Sequence, residues 1–502
     1  MKYCFNTRQF TETDIAPERI AIAGSDKDID WKTLKFKAEQ LGDVFREAGI
    51  PSGHPVIIYG HKEAFFPLAI MACIHAEIAY IPIDTIYPLE RIKKIIDTTE
   101  SQVVINCTGE ELTFDIPVVI TSDLETQVNT AADFQNSVYG DPSDPLQYII
   151  FTSGSTGEPK GVCITQSCIR TFVNWLQADY PFSGNDVFMN QAPFSFDLSQ
   201  YDLMNAFSFG GTLLLNWNEL IKDQDAFIDR LVNYNCSVWT STPSFGYLFL
   251  RNERFNAQGI PTMKTFLFIG EVLPNRTCGI LRGLFPDAQL FNAYGPTEAT
   301  VATTLIEITD DIIREHQMLP VGYPMAGSDL FIEKEQPEDK EGELVISGDH
   351  VSTGYFKNKE LNAEKFFLHN GKRAFRTGDL AYFDDGLLFC IGRNDDQVKM
   401  NGFRIELNEI SAVLTQHELI SDAVTVALRR NNEVKKLISF VLVKDPADAP
   451  KIMEQVLPFI EAAIPYYMIP GDIVAVDAFP YSVSHKIDKN QLIADYLKTQ
   501  LG

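Results

Sequence analysis

The 502-residue chain has no CxxC pair among its eight cysteines (positions 4, 73, 107, 163, 168, 236, 278 and 390) and no histidine cluster to accompany them. That excludes the common thiolate metal sites, and a chain of this size does not need disulfides to hold a core. The thiols read as reduced and mostly buried, as in a cytoplasmic protein. Long apolar runs are also missing. The opening MKYCFNTRQF lacks a basic region followed by an apolar core, and no uninterrupted stretch approaches bilayer-spanning length, so no membrane insertion is expected. Positive charge is short: 42 Lys and Arg stand against 68 Asp and Glu, a net charge of -26. A nucleic-acid backbone is therefore a poor partner, whereas a nucleotide, which needs only a local positive site, is not excluded. The deficit is uneven. Residues 396–502 hold 11 Lys and Arg against 14 Asp and Glu, leaving a nearly neutral tail behind a strongly acidic body. Charge of this kind mainly keeps a protein soluble.

What is present centres on residues 148–162, YIIFTSGSTGEPKGV. An apolar run of strand type breaks into glycines and hydroxyl residues and then one lysine. Glycines let backbone N–H groups converge on an anion, hydroxyls add donors, and Lys160 supplies a point charge, which together describe a phosphate-gripping loop. The spacing Gly154-x-x-Gly157-x-x-Lys160 does not fit the Walker pattern. A flexible linker would share the glycine and serine, but it gains nothing from a buried-type strand ahead of it.

Around this loop the chain is long enough for at least two domains. Helical patterns at Trp31–Ala48, Phe65–Glu77 and Glu90–Thr98 alternate with extended runs at Pro55–Tyr59, Ala79–Ile83 and Val103–Ile105. A second round places strands at 187–191, 211–216, 238–240, 265–269 and 290–294, with a helix at 224–234. This is the cadence of an α/β fold, mostly parallel sheet with covering helices. From about residue 318, short strands at 342–348, 381–382 and 387–391 predict a small β-layer. The polar stretch 392–397 then divides a large N-terminal domain (1–394) of stacked mixed or parallel sheets from a small α+β C-terminal domain (395–502). In the latter, 405–416 and 451–464 read as helices and 423–428 and 437–443 as strands.

Six stretches carry a family resemblance: FTSGSTGEPKG from 151, NAYGPTEAT from 292, GELVISG from 342, FRTGDL from 375, GRNDDQVKMNGFRIEL from 392, and the late Lys486. In this order the chain resembles the adenylate-forming superfamily, specifically the amino-acid adenylation enzymes. NQAPFSFDLS from 190, VWTSTPSF from 238 and GEVLP from 270 make it similar to the stand-alone D-alanine:D-alanyl carrier protein ligases. The resemblance implies an AMP-forming ligase. A carboxylate attacks the α-phosphate of ATP, releasing pyrophosphate, and a phosphopantetheine thiol on a separate carrier then takes the acyl group, as in the D-alanylation of lipoteichoic acid. An ionised carboxylate needs no protein nucleophile or general base, so positioning and charge neutralisation must do the chemistry. Seven of the eight histidines lie away from the matched stretches, and only His485 sits beside one.

By resemblance, Thr152, Ser153, Gly154 and Lys160 hold the β- and γ-phosphates. Asn292, Ala293, Tyr294, Gly295 and Pro296 form the adenine wall, with Cys390 beside the nucleotide and the Tyr294 ring offering a face for stacking. Thr297 reaches the α-phosphate, Glu298 ligates Mg²⁺, and Asp379 takes the ribose hydroxyls with Arg393. Singly, either carboxylate would read as a solvated surface acid; inside the matched stretches they do not. Lys486 spans the substrate carboxylate and the bridging phosphate oxygen as catalytic ammonium. The family usually has Asn-Gly before this lysine, where this chain has Ser484-His485. Asp395 is the hinge about which a mobile C-terminal domain turns, bringing residues 399–410 toward the site for the second step.

By the same resemblance, Asp197 in Phe196-Asp197-Leu198 takes the α-ammonium of an amino acid, a cation being what a buried carboxylate needs; an Asp there would also suit a helix N-cap. The resemblance implies that Leu198, Tyr201, Thr240, Leu267, Ile269, Ala293, Val301 and Ala302 line the remaining pocket, which the bulk at 201, 267 and 269 is expected to keep small. D-alanyl ligases typically carry cysteine where Ile269 stands, so glycine, L-alanine or serine are alternatives to D-alanine. An acyl-CoA synthetase of the same superfamily, or a nucleotide-binding regulator without chemistry, are the rival classes. The chain has no carrier-type DSL serine motif, so the carrier is expected to be a separate, acidic protein meeting apolar or locally basic surface on the tail. The enzyme itself is expected to be a monomer.

Overall fold

The computed structural model describes residues 16–51, 53–112, 114–128, 140–141, 143–154, 158–430, 433–480 and 487–501. The chain forms two compact units. One comprises the residues up to Thr85, Thr99–Ile150 and Gly161–Asn394; the other comprises Ile86–Thr98, Phe151–Lys160 and Asp395 onward.

The first unit is α/β. Its nine-stranded sheet runs, in spatial order, Tyr323–Pro324, Thr304–Glu307, Gln289–Tyr294, Thr265–Phe268, Val238–Ser241, Val187–Asn190, Thr212–Leu215, Ile20–Ala23, Asp28–Asp30. The inner pairs are parallel and both edges are closed by antiparallel pairs. The inner strands are buried along their whole length, because parallel strands covered on both faces must be apolar throughout. A second sheet is built on Pro55–Gly60, Ala79–Asp84 and Val103–Asn106, also parallel, and includes Asp144–Thr152 and Lys160–Thr165. A third, antiparallel sheet contains Asp329–Glu333, Gly342–Ser347, Phe366–His369, Lys372–Asp384 and Leu387–Arg393. The turn of its last hairpin is Asp385-Gly386, both at positive φ.

Among the departures from the sequence expectation, which include the helices Gln166–Asp179, Asn275–Leu284 and Lys489–Leu501, two lie among the expected site residues. Ile405 and Glu406, expected to open a helix, instead end a strand: Phe403–Glu406 pairs with Gln397–Met400 across Asn401-Gly402, both at positive φ, and the helix begins at Leu407. The Asn-Gly turn sets a hairpin register that outweighs the helical pattern. The pattern also does not reveal the helix Asp197–Phe209, since its residues from Ser199 to Ser208 are all buried and leave no polar stripe.

The second unit contains that hairpin, helices at Leu407–Thr415, Ile452–Ala463 and Lys489–Leu501, and the strands Ile420–Arg430, Glu433–Val443 and Asp472–Ala475. Val424, Val426, Ile438, Phe440, Phe479, Leu492 and Tyr496 form a core of their own. The seven described cysteines are free thiols, six of them buried. Among the described residues, no helix is long and apolar enough to cross a membrane.

One face of the nine-stranded sheet is packed with aromatics: Trp239 has Phe245, Phe249 and Phe255 at centroid distances of 5.6, 5.4 and 5.2 Å, and Phe249 also meets Phe227 at 5.0 Å. Phe249 is fully buried. Phe249→Ala is expected to lower stability by about 3–5 kcal/mol in urea unfolding, since the surrounding rings cannot collapse into the space.

Candidate active site

The first unit gathers one group of the expected residues at the ends of the Gln289–Tyr294 strand and the Asp379–Arg393 strand pair. Antiparallel register sets Asp379 opposite Arg393. Arg393 Nη1 donates to Asp379 Oδ1 at 2.6 Å, and the Tyr294 hydroxyl donates to Oδ2 at 2.5 Å. Arg393 Nη2 reaches the Thr377 carbonyl at 3.1 Å, and the Asp379 N–H donates to the Thr377 hydroxyl. Burial pushes the Tyr294 phenol well above its usual range, and the Asp379 and Cys390 charges add to that. Tyr294 therefore remains a donor. Each carboxylate oxygen of Asp379 can still accept a further hydrogen bond. Asn292, also buried, donates through Nδ2 to the Pro320 carbonyl at 2.8 Å, while its Oδ1 has no partner among the described residues. An unmet buried acceptor is costly, and it fits the exocyclic amine of a purine.

Beyond Tyr294 the chain turns sharply. A side chain at Gly295 would bring Cβ to 2.5 Å from Ala302 Cα, so only glycine allows the two backbones to meet. Thr297–Ala299 is a single 3₁₀ turn, followed by Thr300 and Val301 at φ 53° and 70°. A β-branched residue there is strained, and the loop is held by its surroundings. The Thr300 hydroxyl donates to the His350 carbonyl, Thr303 Oγ1 meets His350 Nε2 at 3.2 Å, and the Ser352 N–H donates to the Glu298 carbonyl at 2.8 Å. The Glu298 side chain is fully buried, with Tyr355 donating to its Oε1 at 2.7 Å. No group of three or more His, Cys, Asp or Glu that could hold a metal exists among the described residues. One carboxylate is consistent with Mg²⁺, which takes one or two protein carboxylates and fills its sphere with phosphate and water oxygens.

Of the expected pocket residues, Thr240, Leu267 and Ala293 lie on neighbouring strands of the same sheet, and Asp197, Leu198 and Tyr201 on one helix. Leu267, Ile269, Ala293, Val301 and Ala302 are buried in one core cluster together with Tyr201. Thr240 is the register partner of Leu267. The Tyr201 hydroxyl bonds the Tyr180 hydroxyl. Asp197 is the first residue of the Asp197–Phe209 helix, whose N-cap is Phe196, so it does not cap the helix. Asp197 and Leu198 are half-buried, and the Asp197 charge is felt by the buried Tyr148 phenol.

The second unit assembles the glycine-rich loop. A side chain at Gly154 would put Cβ 2.0 Å from the Glu158 carbonyl. The loop grips anions: the Gly154 N–H donates to Glu409 Oε2 at 2.9 Å, and Lys160 pairs with Glu406 Oε1 at 3.2 Å. The Ser153 hydroxyl donates to the Arg404 carbonyl and accepts from the Glu406 N–H. Arg91 reaches the other oxygen of Glu409 at 2.6 Å, both side chains being almost wholly buried. The Thr152 hydroxyl is buried without a partner among the described residues. The Gln397 N–H donates to Asp395 Oδ1 at 3.2 Å. Lys486 lies outside the described residues, with Ser484 and His485.

Sequence reading missed Tyr355, His350, Arg91, Glu406 and Glu409 as contributors. Tyr355 is 57 positions from Glu298 and Arg91 is 318 from Glu409, and nothing local marks either pairing. A separate cavity of about 480 Å³, between the Gln166–Asp179 helix and the Lys372–Asp384 strand, contains none of the expected site residues.

The AMP-binding enzyme family model matches residues 11–356, and the chain belongs to that family. Among its relatives is the D-alanine--D-alanyl carrier protein ligase of Bacillus licheniformis, 34% identical over 98% of this chain and 99% of that one. That of Bacillus cereus is 35% identical over 95% and 97%. Solved structures sharing the fold include the Vibrio cholerae adenylation domain AlmE in complex with glycyl-adenosine-5'-phosphate, at TM-score 0.81, 22% identity and 96% and 95% coverage. PA1221, a nonribosomal peptide synthetase protein with adenylation and PCP domains, matches at TM-score 0.79, 24% identity and 95% and 82% coverage.

Burial pulls the His350 imidazole down to about 3, with Lys372 and Arg373 acting in the same direction. The unfolded chain therefore binds a proton that the folded one refuses, and stability from this group is full above the unfolded pKa and lost as pH falls toward the folded one. Between pH 7 and about 4.5 the wild type is expected to lose about 2–3 kcal/mol more than His350→Gln in urea unfolding.

Proposed function

We propose that this protein activates D-alanine with ATP as aminoacyl-AMP and passes the acyl group to the phosphopantetheine thiol of a separate carrier protein. The names of the relatives, at 34–35% identity over nearly the whole chain, support the substrate and the acceptor. The observation that carries the nucleotide half is the Tyr294–Asp379–Arg393 set beside the unpartnered Asn292 Oδ1.

In this reading Asp379 accepts the ribose hydroxyls through its remaining lone pairs, while Tyr294 and Arg393 keep both of its oxygens aimed. Asn292 and Ala293 hold the adenine edge. Thr297 orients the α-phosphate for in-line attack by the amino-acid carboxylate, and Gly295 and Pro296 shape the turn that presents it. Glu298, fixed by Tyr355, would hold Mg²⁺, which neutralises triphosphate charge when bound. Thr152, Ser153, Gly154 and Lys160 take the β- and γ-phosphates by releasing the carboxylates of Glu406 and Glu409, since the same donors cannot serve both. Lys486 balances the negative charge that builds between the two reacting groups. Asp197 receives the α-ammonium, and Leu198, Tyr201, Thr240, Leu267, Ile269 and Val301 bound a cavity that admits only a small side chain. Asp395 is the pivot at which the 395–502 domain turns between the two half-reactions, the 1–394 domain keeping the adenylate.

The buried Ile269, larger than the cysteine of similar ligases, gives glycine a place as second substrate. The acceptor is an acidic carrier, the enzyme works as a cytoplasmic monomer, and D-alanylation of lipoteichoic acid is the pathway this chemistry serves.

The test is ATP–pyrophosphate exchange with glycine, both alanines, serine and cysteine in turn. D-alanine is expected to give the highest kcat/KM, with glycine within about 10–200-fold. Lys486→Ala is expected to slow the exchange by at least about 100-fold. Exchange with no amino acid in the panel, or exchange undiminished in Lys486→Ala, contradicts the reading.

A further inference from the structure

Lys62 is a lysine where lysine is seldom found: 1% exposed, inside the first unit. Burying an ammonium is unfavourable unless partners replace its water. Its partners lie in one short segment. Nζ donates to Asn190 Oδ1 and to the Ala192 carbonyl, each at 2.5 Å, and sits 4.6 Å from the centroid of the Phe194 ring. Phe194 is itself stacked on Phe66 at 4.7 Å. Asn190 ends a strand of the nine-stranded sheet, and the segment from Gln191 to Phe196 leads straight into the helix that begins at Asp197. One cation thus holds the segment that joins this strand to the start of that helix.

A second tie reaches the helix itself. Asn190 Nδ2 donates to Asp202 Oδ2 at 3.1 Å, five residues along from Asp197, and Asp202 is fully buried. Burial pushes the Asp202 carboxyl well above its usual range, with Thr240, Asn190 and Lys62 acting against that rise. Burial likewise draws the Lys62 ammonium down to about 7, opposed by Asp84, Asp202 and Glu63. Asp84 is engaged by His61 Nδ1 at 2.8 Å. Lys62, Asn190 and Asp202 form a buried polar chain running from the segment to the helix.

We infer that Lys62 is a positioning residue for amino-acid recognition: through Asn190, Ala192 and Phe194 it sets where the segment ends, and hence where Asp197 stands relative to the substrate ammonium. This rests on the reading of Asp197 as the ammonium's counter-charge. Lys62 is enclosed by protein groups, so its loss should weaken the grip on the amino acid and leave the nucleotide residues in place.

The experiment is steady-state ATP–pyrophosphate exchange with D-alanine on the full-length protein carrying Lys62→Met, Asp197→Asn, or both, with Tm recorded for each. The expected result for Lys62→Met is an amino-acid KM raised at least about tenfold while the ATP KM stays within about twofold. Because the effect runs through Asp197, the pair is expected to be no worse than Asp197→Asn alone. Should Lys62→Met not fold, Lys62→Met with Asp202→Asn removes both charges and leaves neither stranded, and the same split in KM is expected. An ATP KM that rises in step with the amino-acid KM, or effects that multiply in the double variant, marks a merely structural lysine and overturns the inference. An unchanged amino-acid KM in Lys62→Met beside a raised one in Asp197→Asn overturns it while leaving the pocket reading intact. An unchanged amino-acid KM in Asp197→Asn overturns the pocket reading, and the role of Lys62 with it.

Discussion

Asp379 is held from two directions, by the Tyr294 hydroxyl and by the Arg393 guanidinium. The three residues come from two sheets: Tyr294 closes a strand of the parallel one, and Asp379 and Arg393 face each other in an antiparallel pair. A buried carboxylate is unfavourable unless its oxygens are met, and meeting them here ties the two sheets together at Tyr294 and Asp379. The arrangement also sets direction. Arg393 fixes one oxygen and Tyr294 the other, so the carboxylate has one orientation before a ligand arrives, and a preorganised group loses little freedom on binding. The loop after Tyr294 depends on the same end of the strand. Gly295 permits the close approach to Ala302, Thr300 and Val301 accept a left-handed backbone, and His350 holds the result from outside.

The glycine-rich loop follows a different logic. Its backbone N–H, hydroxyl and lysine donors are arranged for oxygen anions without regard to which molecule brings them. In this structure Glu406 and Glu409, on a strand and helix of the tail, supply the oxygens. Glu409 is shared with Arg91, so the loop, the Leu89–Thr99 helix and the tail form one charge-balanced set. Such an ion set gains its strength from burial, and a triphosphate carries more charge than either glutamate. In the proposed function, the donors that would recognise phosphate are the ones that hold the tail here.

Much of this was legible in the sequence for physical reasons. Parallel strands buried on both faces announce themselves as apolar runs, and Val56-Ile57-Ile58 and Val103-Val104-Ile105 could be little else. Turns that need glycine leave glycine behind, which made the loops at Gly154 and Gly295 visible. Local spacing fails where burial is complete: the helix from Asp197 has no polar face to give it a period, and its start was read only from the flanking residues. Long-range pairing is invisible for the same reason. Tyr355 on Glu298, Arg91 on Glu409 and Lys62 on Asn190 join segments that share nothing along the chain, and only the fold brings them together. The helix predicted from Ile405 is present but begins two residues later, at Leu407, because Asn401-Gly402 builds a hairpin whose second strand takes Ile405 and Glu406.

The central claim is that Asp379 reads the ribose. Calorimetric titration of ATP and of 2'-deoxy-ATP into the wild-type protein and Asp379→Asn tests it most directly. The account predicts that the wild type binds ATP about tenfold or more tightly than the deoxy analogue, and that Asp379→Asn loses most of that preference along with affinity. Equal affinity for both nucleotides in the wild type, or a preference that survives the substitution, would contradict it.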